Sequence, residues 1–246
     1  MEGLLQGRVA LITGAGRGIG KGIALKFAQQ GATVLLVGRK LSALRQVAGE
    51  IEAAGGKAGC LSADVSDAAQ VEAMAGEALA QYGRVDILVN NAGISKEMPF
   101  LEMPVEVFDE IMATNMRSVM LVTRALLPQM IRQKYGRIVN IGSGAALRGL
   151  PGSAAYSASK AAVVCFTQAL GDEIRGVEKN IRINAICPGP VDTELFQKSE
   201  RRDFILSAGG DVFSTETLAD GALYLASEMS RGMNSQVLVL RGFNRW

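Results

Sequence analysis

The chain has 246 residues, 48% of them hydrophobic and 20% charged, and its 26 Lys and Arg against 24 Asp and Glu leave a net charge of +2. A balance this even argues against nucleic acid as the main ligand, and the length suits one α/β domain over residues 1–246. There is no histidine, and Cys60, Cys165 and Cys187 lack CxxC spacing, so no metal site is expected; without a signal-peptide core or a bilayer-length apolar run, a cytoplasmic location is expected.

The first predicted strand, Val9 to Thr13, runs into Gly14-Ala15-Gly16-Arg17-Gly18-Ile19-Gly20 and then a helix to Gln30. Glycines at such a strand–helix junction allow a tight turn, close approach of backbone to a pyrophosphate, and a helix N-terminus aimed at its charge. The next strand, Thr33 to Val37, ends in Gly38-Arg39-Lys40. A carboxylate there would take a ribose 2′-hydroxyl; Arg39, with Arg17 nearby in the turn, would instead receive a 2′-phosphate, which points to NADPH over NADH. A helix from Leu41 to Ala54 and a weaker strand from Lys57 to Ser62 lead to Asp64-Val65.

A helix from Asp67 to Gln81 precedes the strand Val85 to Val89, which ends in Asn90-Asn91-Ala92-Gly93, small residues that let backbone approach a ligand. The long helical stretch from Pro104 to Lys134 is expected to break near Thr114-Asn115. The strand Arg137 to Ile141 is followed by Ser143, and a helix from Ser153 to Arg175 carries Tyr156 and Lys160. The strand Ile181 to Ile186 leads to Pro188-Gly189 and to a mixed stretch from Glu194 to Phe213 that reads as a lid. A helix from Thr215 to Ser227 and the strand Gln236 to Leu240 complete the pattern. Alternating β and α elements predict a Rossmann-type, doubly wound parallel sheet of about seven strands with helices on both faces, binding ligands beyond the carboxyl ends of the strands.

Tyr156 and Lys160 are one helical turn apart and share a face. A tyrosine with a pKa of about 10 is a weak acid–base catalyst at neutral pH. A fixed cation beside it favours the phenolate, so Lys160 is expected to pull the Tyr156 pKa down.

Thr13-Gly14-x-x-x-Gly18-x-Gly20, Asp64-Val65, Asn90-Asn91-Ala92-Gly93, Asn115, Ser143, Tyr156-x-x-x-Lys160 and Pro188-Gly189 followed by Thr193 together resemble the short-chain dehydrogenase/reductase family. Within it the chain is most similar to bacterial 3-oxoacyl-acyl-carrier-protein reductases. The resemblance implies that Tyr156 donates a proton to a carbonyl oxygen, Ser143 hydrogen-bonds the developing alkoxide, and Lys160 holds the nicotinamide ribose. It implies that Asn115 holds a relay water, Ile19 covers the pyrophosphate, Asn91 and Gly93 lie beside the adenosine ribose, and Val191 and Thr193 hold the carboxamide. It further implies a homotetramer and an acidic acyl carrier protein as partner. Arg132, Lys134 and Arg137, with Arg175, Lys179 and Arg182, are placed to form a basic rim for that partner.

The C-terminus departs from the family: Asn234-Ser235 stands where relatives commonly have Thr-Gly, and Arg241-Gly242-Phe243-Asn244-Arg245-Trp246 where they have Asp-Gly-Gly. Three functions stay open at this point: reduction of a 3-oxoacyl thioester, reduction or oxidation of a small ketone, sugar or secondary alcohol, and non-catalytic binding of a dinucleotide.

Overall fold

A computed structural model describes residues 3–199, 202–207 and 210–242. Seven strands form one parallel sheet: β1 (Val9–Thr13), β2 (Thr33–Gly38), β3 (Lys57–Ser62), β4 (Ile87–Asn90), β5 (Gly136–Ile141), β6 (Ile181–Pro188) and β7 (Val237–Leu240), in the spatial order β3-β2-β1-β4-β5-β6-β7. The order reverses at β1, which pairs with both β2 and β4. This is the switch point at which the connections to either side diverge and leave a crevice at the carboxyl ends of the strands.

Near-continuous apolar strands follow from helices on both faces. Side chains alternate along β1: Ala10 and Ile12 enter one apolar core, Val9 and Leu11 the other. The first core is closed by α1 (Gly18–Gln29), α2 (Leu41–Ala53) and α9 (Thr215–Ala226). The second is closed by α3 (Ala68–Tyr82), α5 (Ser118–Arg132) and α6 (Ala154–Arg175). Among the described residues no helix is long and apolar enough to cross a membrane.

Local signals set several boundaries. Asp67 caps α3 by accepting from the backbone N–H of Ala69 and Gln70 at 2.9 and 3.0 Å, and Gly83 ends it in the left-handed region. Ser214 caps α9 by accepting from Thr217 N–H at 3.2 Å. The expected break near Thr114-Asn115 is a π-helical turn, Ala113–Arg117, between α4 (Val105–Met112) and α5. A π turn inserts a residue without ending the helix, so α4 and α5 continue through it without a break. Two short helices, α7 (Glu194–Gln197) and α8 (Arg202–Ser207), occupy the segment read from sequence as a lid. Glu200, Arg201, Ala208 and Gly209 of that segment, and Phe243 to Trp246 of the unusual tail, lie outside the described residues.

Candidate active site

The glycine turn is held by Thr13 and Asn91. Thr13 Oγ1 accepts from the backbone N–H of Asn91 and of Ala92, each at 3.0 Å, and so ties the end of β1 to the segment leaving β4. Asn91 Nδ2 donates to the carbonyls of Thr13 at 2.9 Å and Gly14 at 3.2 Å. Gly14 has φ +66, and a Cβ at Gly20 would stand 2.3 Å from the Gly14 carbonyl oxygen. Only glycine allows that close approach of helix to turn. Asn90 points the other way: its amide donates to Asn140 Oδ1 at 2.8 Å and Thr123 Oγ1 at 3.1 Å in the interior.

The N-terminus of α1 has no side-chain cap and no acidic residue in its first turn. Its free N–H groups and the positive end of the helix dipole make an anion cradle. Arg17 stands at the N-cap with its side chain largely exposed and paired to Glu194 of α7. Gly18, with φ +53, lies against Thr193, whose methyl carbon would be 3.5 Å from an added Cβ. Thr193 Oγ1 donates to the Val191 carbonyl at 3.2 Å and accepts from Phe196 N–H at 3.3 Å, while Val191 is buried. Ile19 packs against the core beneath the turn.

At the outer end of the crevice Arg39 is 71% exposed, and its Nη1 is 3.8 Å from Asp64 Oδ2. Asp64 accepts from Ser66 Oγ at 2.7 Å and Ser66 N–H at 3.0 Å. The Ser66 hydroxyl, and more weakly Arg39, hold its carboxyl below the usual range against the opposing effect of burial. Val65 is buried beneath it.

The remaining groups converge beyond β4 and β5. Lys160 is buried, and its Nζ donates to the Ile141 carbonyl at 2.8 Å. An added Cβ at Gly93 would be 3.3 Å from Asn115 Oδ1 and 3.4 Å from Lys160 Nζ, so the Gly93 backbone lies directly over both. Asn115, in the π turn, is fully buried; it donates to the Ile94 carbonyl at 2.9 Å and Ser159 Oγ at 3.0 Å, and accepts from Ile94 N–H at 2.8 Å. Ser143 Oγ accepts from Ala145 N–H at 3.1 Å and stands near enough to the Tyr156 hydroxyl to favour its ionisation.

A family model for short chain dehydrogenases matches residues 8–203. The chain belongs to the short-chain dehydrogenase/reductase family. The 3-oxoacyl-[acyl-carrier-protein] reductase of Thermotoga maritima is 37% identical over 242 residues, covering 97% of this chain and 98% of that protein. The 2-(R)-hydroxypropyl-CoM dehydrogenase of Xanthobacter autotrophicus is also 37% identical, over 96% of this chain and 97% of its own length. Among solved structures, a Beutenbergia cavernae protein described as an NAD(P)-dependent gluconate 5-dehydrogenase, with NADP bound, superposes with TM-score 0.90 at 36% identity; the match covers 97% of this chain and 96% of that one. This short-chain dehydrogenase/reductase is thus an oxidoreductase acting between CH–OH and carbonyl groups with a nicotinamide dinucleotide. Its likeness to the bacterial 3-oxoacyl-acyl-carrier-protein reductases extends over nearly the whole chain.

The electrostatics of the site differ from the sequence expectation. The Tyr156 pKa is raised, not lowered. Burial of the phenol is the largest cause, Ser143 opposes it, and the charges of Cys187 and Glu97 add to it. Part of the ring remains exposed, so the burial acts on the hydroxyl end. Lys160 does not offset this: its ammonium is turned to the Ile141 carbonyl, and it has given up its own proton before a phenol with a raised pKa titrates. Burial pushes Lys160 itself down to about 8.

Two residues of this neighbourhood carry no motif. Glu97, in the loop after β4, accepts from Ser199 Oγ at 2.8 Å and so joins that loop to the end of α7. Cys187 is buried beneath Gly142, where an added Cβ would meet its Sγ at 2.6 Å. Sequence reading did not single out Glu97; its place in the loop after a parallel strand is the one signal that could have found it.

The basic rim is corrected in two respects. Arg137 and Arg182 are buried: Arg137 Nη2 donates to Glu228 Oε1 at 2.7 Å, and Arg182 Nη2 donates to the Ser227 carbonyl at 2.9 Å. Sequence places these strand-start arginines on the rim because the acid that compensates them, Glu228, lies far along the chain. The rim also lies at the opposite end of β5 and β6 from Ser143, a distance of about 25 Å for an eight-residue strand.

Proposed function

We propose that the chain reduces a carbonyl to a secondary alcohol with NADPH, and that its substrate is a 3-oxoacyl thioester. The observation that carries this reading is the convergence of Tyr156, Ser143, Lys160 and Asn115 at the carboxyl ends of the strands, the end at which the uncapped N-terminus of α1 opens. The cradle suits a dinucleotide: Gly14, Gly18 and Gly20 keep the turn open, and Ile19, Asp64, Val65, Asn91, Ala92 and Gly93 line the path towards the adenosine end. Arg39 and Arg17 are the cations that would receive a 2′-phosphate, with Arg17 exchanging Glu194 for it.

When bound, the nicotinamide supplies the hydride for the carbonyl carbon. Tyr156 gives its proton to the carbonyl oxygen, and Ser143 donates a hydrogen bond to the charge developing there. The raised Tyr156 pKa suits this direction, since the phenol stays protonated at neutral pH. Lys160 holds ribose hydroxyls and, with Asn115 positioning a water, returns a proton to Tyr156. Val191 and Thr193 hold the carboxamide. Oxidation of a small alcohol uses the same groups in reverse, and the hydroxypropyl-CoM dehydrogenase likeness favours that as the second reading.

The thioester reading draws on the reductase relatives, not on the basic rim, because a carrier protein docked there would stand a strand's length from Tyr156 of the same chain. Phe100, Leu101 and Val105, exposed on the loop and helix after β4, form an apolar surface that a second copy would cover in the homotetramer. The reading also keeps the protein in the cytoplasm, where acyl carriers and reduced dinucleotide meet. NADPH oxidation against panels of acyl thioesters and simple ketones tests the substrate class. Faster turnover of acetoacetyl thioester than of any simple ketone supports the first reading; the reverse order supports the second.

Two further outcomes are expected. Arg39→Glu lowers kcat/KM for NADPH by about tenfold to a hundredfold, through loss of a charge-assisted bond and added repulsion, while kcat/KM for NADH changes by less than about threefold. Equal losses with both dinucleotides would remove Arg39 from the 2′-phosphate site. Glu97→Gln removes a charge that raises the Tyr156 pKa. The phenolate then forms at lower pH, and alcohol oxidation at pH 9 rises by about threefold. An unchanged oxidation profile would show that Glu97 does not act on the phenol.

A further inference from the structure

At the N-terminal edge of β6 and β7, far from Tyr156, lies a cavity of about 340 Å³. Arg175 at the end of α6, Lys179, Arg182 at the start of β6 and Arg231 line it, with Asn234 and Gln236 beside them. No acidic residue lines it among the described residues. Its volume holds about ten waters, room enough for a small polyanion.

Arg182 makes this more than a group of surface cations. Its side chain is 7% exposed, and its Nε is buried without a hydrogen-bond partner among the described residues. Glu228, the acid paired with it among the described residues, is 3.5 Å from Arg182 Nη1 but 2.7 Å from Arg137 Nη2, so one carboxylate serves two buried guanidinium groups. A buried donor left without a partner is costly, and a positive excess in a cup invites an anion. Asn234 is already committed to the fold: it accepts from Ile183 N–H at 2.9 Å and donates to the Gly171 carbonyl at 2.8 Å. Arg175, Lys179 and Arg231, all exposed at the mouth, have no ion pair among the described residues.

We propose that this cavity is a binding site for a compact, multiply charged phosphate anion, with Arg182 as its floor and Arg175, Lys179 and Arg231 as its rim. Arginine forks and a lysine point charge suit phosphate oxygens. A broad protein surface would meet the rim cations and leave Arg182 untouched, which is why a small anion is the occupant. The site is independent of the dinucleotide crevice and of the reaction assigned to it.

Isothermal titration of pyrophosphate into the full chain at low ionic strength tests the site, with NADPH saturating so that the glycine turn takes no phosphate. One pyrophosphate per chain is expected, with affinity reduced at least about tenfold in the Arg175→Gln/Arg231→Gln double variant, since two charge-assisted contacts are lost. Both residues are exposed and outside the catalytic machinery, so the variant should keep the NADPH oxidation rate of the parent. Equal binding by parent and variant would overturn the proposal. So would no binding to the parent, or binding of an acidic carrier protein at these arginines where pyrophosphate fails to bind.

Discussion

Tyr156→Phe is expected to lower kcat for ketone reduction by about a thousandfold, within the range for a positioned general acid, while Kd for NADPH stays within about twofold. The substitution deletes one oxygen and keeps the ring that packs beside Lys160. Ser143 keeps its bond to Ala145 N–H, so the loop after β5 holds its shape. The two readouts separate chemistry from folding, since a misfolded site would lose NADPH as well. Steady-state kinetics and fluorescence titration of NADPH measure them. A variant retaining about a tenth of the parent kcat would mean that another group supplies the proton.

Lys160→Ala should be damaging in a different way. It removes a buried ammonium and leaves the Ile141 carbonyl without its donor. Loss of the ribose contacts should raise KM for NADPH about tenfold, and loss of the proton relay should lower kcat about a hundredfold. In the parent enzyme the same group sets a pH limit. A lysine whose pKa is lowered to about 8 is charged at neutral pH and loses its proton above that value. Reduction should therefore decline as pH rises through about 8, well before Tyr156, whose pKa is raised, gives up its own proton. A pH profile of kcat/KM checks this, and a profile flat to pH 10 would remove Lys160 from the catalytic role.

Much of this site was legible because its residues follow strands. The glycine turn after β1, Asn91 to Gly93 after β4 and Ser143 after β5 each stand where a parallel sheet presents ligand-binding backbone. Helical spacing placed Tyr156 and Lys160 on one face, and Asn115 fell in the π turn between α4 and α5. What sequence did not give depends on contacts between distant segments. The direction of the Tyr156 shift turns on burial and on Glu97, which no local pattern links to it. Thr13 reads as the last residue of a strand, yet it holds two N–H groups about eighty positions away. Arg137 and Arg182 look like rim charges until Glu228, beyond α9, is brought to them through the fold. Short α7 and α8 lack an apolar period long enough to read.

The most direct test of the central claim follows the transferred hydrogen. NADPH carrying deuterium at the reactive nicotinamide carbon is incubated with acetoacetyl thioester and the protein, and the product is analysed by mass spectrometry. The account predicts a 3-hydroxyacyl thioester bearing one deuterium on the carbinol carbon with the parent chain, and essentially none formed with Tyr156→Phe. Bound dinucleotide with no deuterium on the carbinol carbon of any alcohol product would contradict it.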